Sequence, residues 1–196
     1  MKKQDFNRRD FLKKSLACSA CFASTSFISE VLASGGDKTK EDILQELDQK
    51  VDELMPEYGN CAQTSFGVLN KQFKLKAKKM IPALKPFPGI ASRGETCGAV
   101  SGSILAIGLY FESARRKAST QTTNTTQYAT EFCAAFENEF GSTMCKGVQD
   151  HQYGRSFDLR DEKEWIEFMT AAASGKCKEV VKKAVRFAGE IIIENT

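Results

Sequence analysis

Residues 176–193 read KCKEVVKKAVRFAGEIII. Val181, Ala184, Val185, Ala188 and Ile192 recur at the three- and four-residue steps that put side chains on one face of an α-helix. The same spacing runs back through the chain. Thr39, with Asp42 at the third position, forms a capping-box signature. Ile43, Leu44, Leu47, Val51, Leu54 and Met55 follow it at helical spacing as far as Pro56. A second helix is predicted from Asn60, with Ala62, Phe66, Leu69 and Phe73 on one face, and a third from Cys97 to Phe111. A fourth carries Tyr128, Phe132, Ala135, Phe136 and Phe140 and ends at Gly141. A fifth starts at Asp161 and turns Trp165, Phe168, Met169 and Ala172 to the core, and Gly175 ends it. No stretch alternates with the period of a strand. The expected fold is all-α, a single domain of about five or six helices. Between the helices, Pro82, Pro86, Pro88 and Gly89 predict an irregular loop, and Ser119 to Gln127 a polar linker.

Composition excludes several functions. The chain has 196 residues, and 41% of them are hydrophobic, enough for a packed core. Its one His excludes a bis-His haem, and the lack of a Cys-x-x-Cys-His string excludes covalent haem. No apolar run reaches the roughly 18 residues of a membrane span. His151 is the only imidazole, and with Gln149, Asp150, Gln152 and Tyr153 around it a solvated loop is expected there rather than a catalytic base. The six Lys between Lys71 and Lys85, unaccompanied by any acid, read as a solvated face, and Arg93 as a surface ion pair.

The N-terminus resembles a twin-arginine export signal. Asn7-Arg8-Arg9-Asp10-Phe11-Leu12-Lys13 precedes a weakly apolar stretch from Ser15 to Ile28, and Val31-Leu32-Ala33 offers small-residue cleavage. The expected division is a signal over 1–33 and a mature domain over 34–196, located in the periplasm. Removing the signal takes away six of the 28 basic residues and three of the 25 acidic ones, leaving 22 of each. A neutral chain lacks the electrostatic footprint of a nucleic-acid binder. Cys18 and Cys21 leave with the signal, and Cys61, Cys97, Cys133, Cys145 and Cys177 remain.

Four of these five stand where a loop turns into a helix. Cys61 follows Gly59-Asn60, Cys97 follows Gly94-Glu95-Thr96, Cys145 comes soon after Gly141-Ser142, and Cys177 follows Ser174-Gly175. Free N–H groups and the partial positive charge of a helix N-terminus stabilise a thiolate. Cys133 lies mid-helix, ahead of Phe136 and Phe140, and reads as a core residue. Gly98 and Gly102 strip the third helix of bulk on one side. That suits a close helix crossing and the backbone of a cofactor site equally well.

The string Gly94-Glu95-Thr96-Cys97-Gly98-Ala99-Val100-Ser101-Gly102, with Asn60-Cys61-Ala62-Gln63 upstream and Cys145 and Cys177 downstream, resembles the C_GCAxxG_C_C family of redox-active proteins over about residues 57–190. A related domain accompanies the haem part of split-Soret cytochromes and holds an iron–sulfur cluster there. The resemblance implies a redox role with Cys61, Cys97, Cys145 and Cys177 as metal ligands. The chain departs from the pattern in one loop: where the family carries a run of glycines, Phe87-Pro88-Gly89-Ile90-Ala91-Ser92 keeps Gly89 alone.

Three readings of the four cysteines stay open. One is an iron–sulfur cluster used for electron transfer, with backbone groups at Gly98 and Gly102 contributing to the site. A second is a periplasmic disulfide or thiol–disulfide protein without metal. A third is structural zinc, which spacings of 36, 48 and 32 residues disfavour. The first is the expectation: an electron carrier with no substrate pocket of its own. Its partner is another redox protein, not nucleic acid, and a homodimer is an open alternative to the monomer.

Overall fold

The computed structural model describes residues 38–118 and 125–196. The proposed signal, with Cys18 and Cys21, and most of the 119–127 linker lie outside the described residues. Eight helices make up the described part: α1 (Lys40–Tyr58), α2 (Cys61–Gln72), a four-residue turn α3 (Gly89–Ser92), α4 (Gly98–Ala118), α5 (Thr125–Phe140), α6 (Cys145–Tyr153), α7 (Glu162–Ala172) and α8 (Lys176–Glu194). The all-α class stands, but five or six helices was too few. The two missed are α3 and α6. Helix α6 is short and mostly polar, so it carries no apolar stripe to announce it. Two 3₁₀ turns, Lys78–Met80 and Pro82–Leu84, also lie in the segment expected to be irregular.

Local signals set the ends of the helices. The Thr39 hydroxyl accepts from the Asp42 N–H at 3.1 Å, and the Thr39 N–H donates to the Asp42 carboxylate at 3.0 Å. Helix α1 runs past Pro56 to Tyr58 and stops at Gly59, whose φ of 68° only glycine adopts cheaply. Asn60 caps α2 by accepting from the Gln63 N–H at 2.9 Å, and Asp161 caps α7 through the N–H groups of Lys163 and Glu164.

Packing follows the apolar faces. Helix α2 lies along α4, α1 along α8 and α2, and α8 also along α4, α2 and α5. The core they enclose includes Leu47 and Val51 of α1, Phe66 and Leu69 of α2, Ile107 and Phe111 of α4, Phe132 and Phe136 of α5, and Val181, Val185 and Ile192 of α8. The close crossing of α2 and α4 rests on Gly102. A Cβ there would overlap the Ser65 hydroxyl and crowd the Ala62 carbonyl.

Helix α7 differs from the others. The fifth-helix face expected in the core is half out of it: Trp165 is 43% and Met169 49% exposed, and α7 buries none of its residues. It is tethered by ring contacts of Phe168 with Tyr153 and Phe157, and by Arg155 paired at 3.1 Å with both Glu164 and Glu167. Among the described residues no helix is long and apolar enough to cross a membrane.

Candidate redox site

The four helix-start cysteines line one cavity of about 790 Å³. Cys61 opens α2, Cys145 opens α6, Cys177 is the second residue of α8, and Cys97 immediately precedes α4. The sequence therefore placed each cysteine at its helix end, and the tertiary packing brings those ends together. Cys133 is half-buried in α5 and does not line the cavity.

A backbone zipper holds two of them side by side. The Cys97 N–H donates to the Thr143 carbonyl at 2.9 Å, the Cys145 N–H to the Glu95 carbonyl at 2.6 Å, and the Lys146 N–H to the Gly94 carbonyl at 3.1 Å. Thr96 and Met144 form an antiparallel bridge between them. The loop bearing Gly89 then closes over Cys145. A Cβ on Gly89, at φ 54°, would sit 3.5 Å from the Cys145 Sγ and 3.1 Å from the Gly94 nitrogen.

That loop has an unusual backbone. Ile90, Ala91 and Ser92 have φ of 43°, 57° and 63°, all in the left-handed region that glycine favours. The chain keeps a glycine-type conformation without the glycines. The strain lies beside the cysteines, where surrounding structure holds it in place.

Electrostatics sort the four sulfurs. Cys61 and Cys97 form a hydrogen-bonded pair. The Cys97 thiol and the N–H groups of Cys61, Gly98 and Ala99 all stabilise a Cys61 thiolate, and they hold its pKa below the ordinary value. The hydrogen bond to Cys61 and burial together push Cys97 well up. Burial, reinforced by the neighbouring sulfurs, raises Cys145 to about 12. Burial also raises Cys177, to about 11, against the opposing hydrogen bond from Tyr153. Without a cation between them, four such groups hold one thiolate readily and resist the rest. A cationic centre would reverse that preference and deprotonate them together.

The glycines now separate. The Gly98 N–H faces the Cys61 sulfur, and a Cβ at Gly98 would overlap that sulfur. Gly102 serves the α2–α4 crossing and does not line the cavity.

Sequence reading missed Gln149 and Tyr153. The solvated loop expected around His151 is helix α6, and although His151 itself is exposed, Gln149 is 2% exposed. The Gln149 amide donates to the Cys145 Sγ at 3.5 Å, and its oxygen accepts from the Phe157 N–H at 2.8 Å. The Tyr153 hydroxyl donates to the Cys177 Sγ at 3.3 Å. Residues 145, 149 and 153 fall at i, i+4 and i+8, so one helix face presents all three. Arg93 pairs at the surface with Glu95 at 3.0 Å, as expected. The six Lys of the 71–85 segment are exposed.

The cavity is not lined by the cysteines alone. Past the cysteines it is walled by Met55, Tyr153, Trp165, Phe168, Met169 and Ala172.

The groups facing the cavity beside the cysteines are thiols and backbone N–H groups. Four thiols ring one space, N–H groups face Cys61, and Gly98 leaves room for its sulfur. Among the described residues, no group of three or more His, Cys, Asp or Glu side chains is arranged to hold a metal ion.

Residues 59–191 match the family described as "Putative redox-active protein (C_GCAxxG_C_C)". The chain belongs to the C_GCAxxG_C_C family. No curated protein and no solved structure gives a match. The description of the C_GCAxxG_C_C family supports a redox role.

Proposed function

We propose that this C_GCAxxG_C_C protein is an exported electron carrier whose Cys61, Cys97, Cys145 and Cys177 hold an iron–sulfur cluster. The observation that carries the reading is the meeting of these four cysteines, each at a helix start, around one cavity. When bound, the cluster would supply one-electron redox chemistry. The protein's own groups would bind and tune it. The N–H groups of Gly98 and Ala99 would hydrogen-bond the Cys61 sulfur, while Gln149 and Tyr153 would donate to Cys145 and Cys177. Burial of Cys97, 5% exposed, would keep water from the inner side. The twin-arginine signal over 1–33 would deliver the folded, loaded protein to the periplasm, where a partner redox protein would exchange the electron.

Anaerobic purification followed by visible spectroscopy and iron and acid-labile sulfide analysis tests the reading. Bleachable absorption between roughly 400 and 600 nm with matching iron and sulfide is the expected result. A colourless, iron-free protein overturns it.

One observation favours a second reading. The Cys61–Cys97 pair, a stabilised thiolate beside a thiol, is the arrangement of a dithiol couple. All five described cysteines are free in this structure. An iron-free protein that forms a Cys61–Cys97 bridge on mild oxidation, mapped by peptide mass analysis, would establish this alternative.

A further inference from the structure

The cavity extends beyond the four cysteines. Cys97 is 5% exposed at the inner end, whereas Trp165 and Met169 on α7 are 43% and 49% exposed at the mouth. Between them lie Met55, Tyr153, Phe168 and Ala172, a mainly apolar lining rich in aromatic faces and thioether sulfur. The whole cavity, its cysteine end included, measures about 790 Å³, within the range of small-molecule pockets. Three charged side chains line it: Asp52, Lys85 and Lys178. Asp52 pairs at 2.9 Å with Lys178 and also at 2.9 Å with Lys182, which lies outside the lining, so one acid stands against one base among these two lining groups. Lys85 is exposed and has no ion-pair partner among the described residues, so it leaves the cavity with one uncompensated positive charge.

We infer that this outer chamber binds a small aromatic molecule carrying an anionic group. Its ring lies against Trp165, Phe168 and Tyr153, and its anion faces Lys85. Aromatic side chains favour a flat ring by stacking or edge contact, and apolar walls reward its desolvation. One lysine, rather than several, selects a single anionic substituent and not a polyphosphate. The wall is built for entry: α7 has no buried residue and is held by ring contacts and exposed ion pairs, which contribute little to holding it shut. This inference stands on the lining of the chamber and does not depend on the metal reading.

Two related probes test it on the protein as purified, with iron and sulfide assayed separately. They are 8-anilinonaphthalene-1-sulfonate and its uncharged analogue N-phenyl-1-naphthylamine. Trp165 is the chain's only tryptophan, so its quenching reports on the chamber itself. Both probes should saturate one site per chain and quench Trp165 in step. Ala172→Phe, which fills the lining, should weaken both about tenfold or more. Met169→Glu, at an exposed position that tolerates polarity, serves the same purpose should Ala172→Phe lose its cooperative melt. Lys85→Gln should weaken the sulfonate about threefold and leave the neutral probe unchanged. Ile166, 59% exposed on α7 and outside the lining, supplies the control: Ile166→Ser should change neither. Absence of saturation, loss of binding in Ile166→Ser, retained binding in both cavity variants, or an equal response of the two probes to Lys85→Gln would overturn the inference.

Discussion

At the residue scale, the four cavity cysteines differ from Cys133 in what surrounds them, not in exposure alone. Cys133 packs beside the core of α5, whereas Cys97 faces Cys61 across a hydrogen bond. Cys97→Ala should therefore abolish iron and sulfide binding, and Cys133→Ala should leave both within error of wild type; equal loss from the two variants would sink the assignment. The buried thiols also make the metal-free protein sensitive to alkali. Burial pushes Cys145 to about 12 and Cys177 to about 11 from an ordinary 9.0, so the folded chain holds these protons more tightly than the unfolded one. The resulting stability is fully present below about pH 9 and is lost as the pH rises through the folded values. Denaturant midpoints of the metal-free protein should fall between pH 9 and 11 more steeply in wild type than in the Cys145→Ala, Cys177→Ala double variant. Sequence legibility was good here for the cysteines, because a helix start is a local property read from Asn60, Gly94, Gly141 and Gly175. It was poor for Gln149 and Tyr153, since nothing in a polar nonapeptide says which side meets a sulfur.

At the element scale, the turn α3 and the helix α7 both depart from the pattern of stable, buried helices. Ile90, Ala91 and Ser92 occupy positive φ without being glycine. Ala91→Gly should raise unfolding stability by about 1 kcal/mol, the left-handed penalty exceeding the entropy cost of glycine. Calorimetry or denaturant titration checks the sign. Helix α7 is amphipathic, yet its apolar side meets a cavity instead of a packed neighbour. Its amides should exchange with deuterium orders of magnitude faster than those of α8, which buries Val180, Val181, Ala184, Val185, Ala188, Gly189 and Ile192. Exchange followed by mass spectrometry resolves the two; equal protection would refute the weak tether. Periodicity announced both helices correctly as amphipathic. It carries no information on whether the facing surface is core or void, so the spacing of Trp165 and Met169 predicts a core position that they do not take.

At the scale of the whole molecule, the site exists because α2, α4, α6 and α8 bring their N-terminal ends to one place. Phe66 of α2, fully buried in the core, belongs to the packing of α2 against its neighbours. Phe66→Ala should cost about 3–5 kcal/mol of stability and lower cofactor loading with it, read from a thermal melt beside iron content. Trp165→Ala, at the half-exposed mouth, should change the melt little. The all-α class, the caps at Thr39, Asn60 and Asp161, the apolar faces and the helix-start placement of the cysteines were all readable from the chain. Each depends on contacts within about four residues, where identity and spacing determine the conformation. The meeting of Cys61, Cys97, Cys145 and Cys177, separated by 36, 48 and 32 residues, was not readable in this way. Nor were the positive φ angles of Ile90 to Ser92 or the chamber under α7. These depend on how distant helices pack, and the energy that sets their crossing is spread over the whole core rather than written in any one segment.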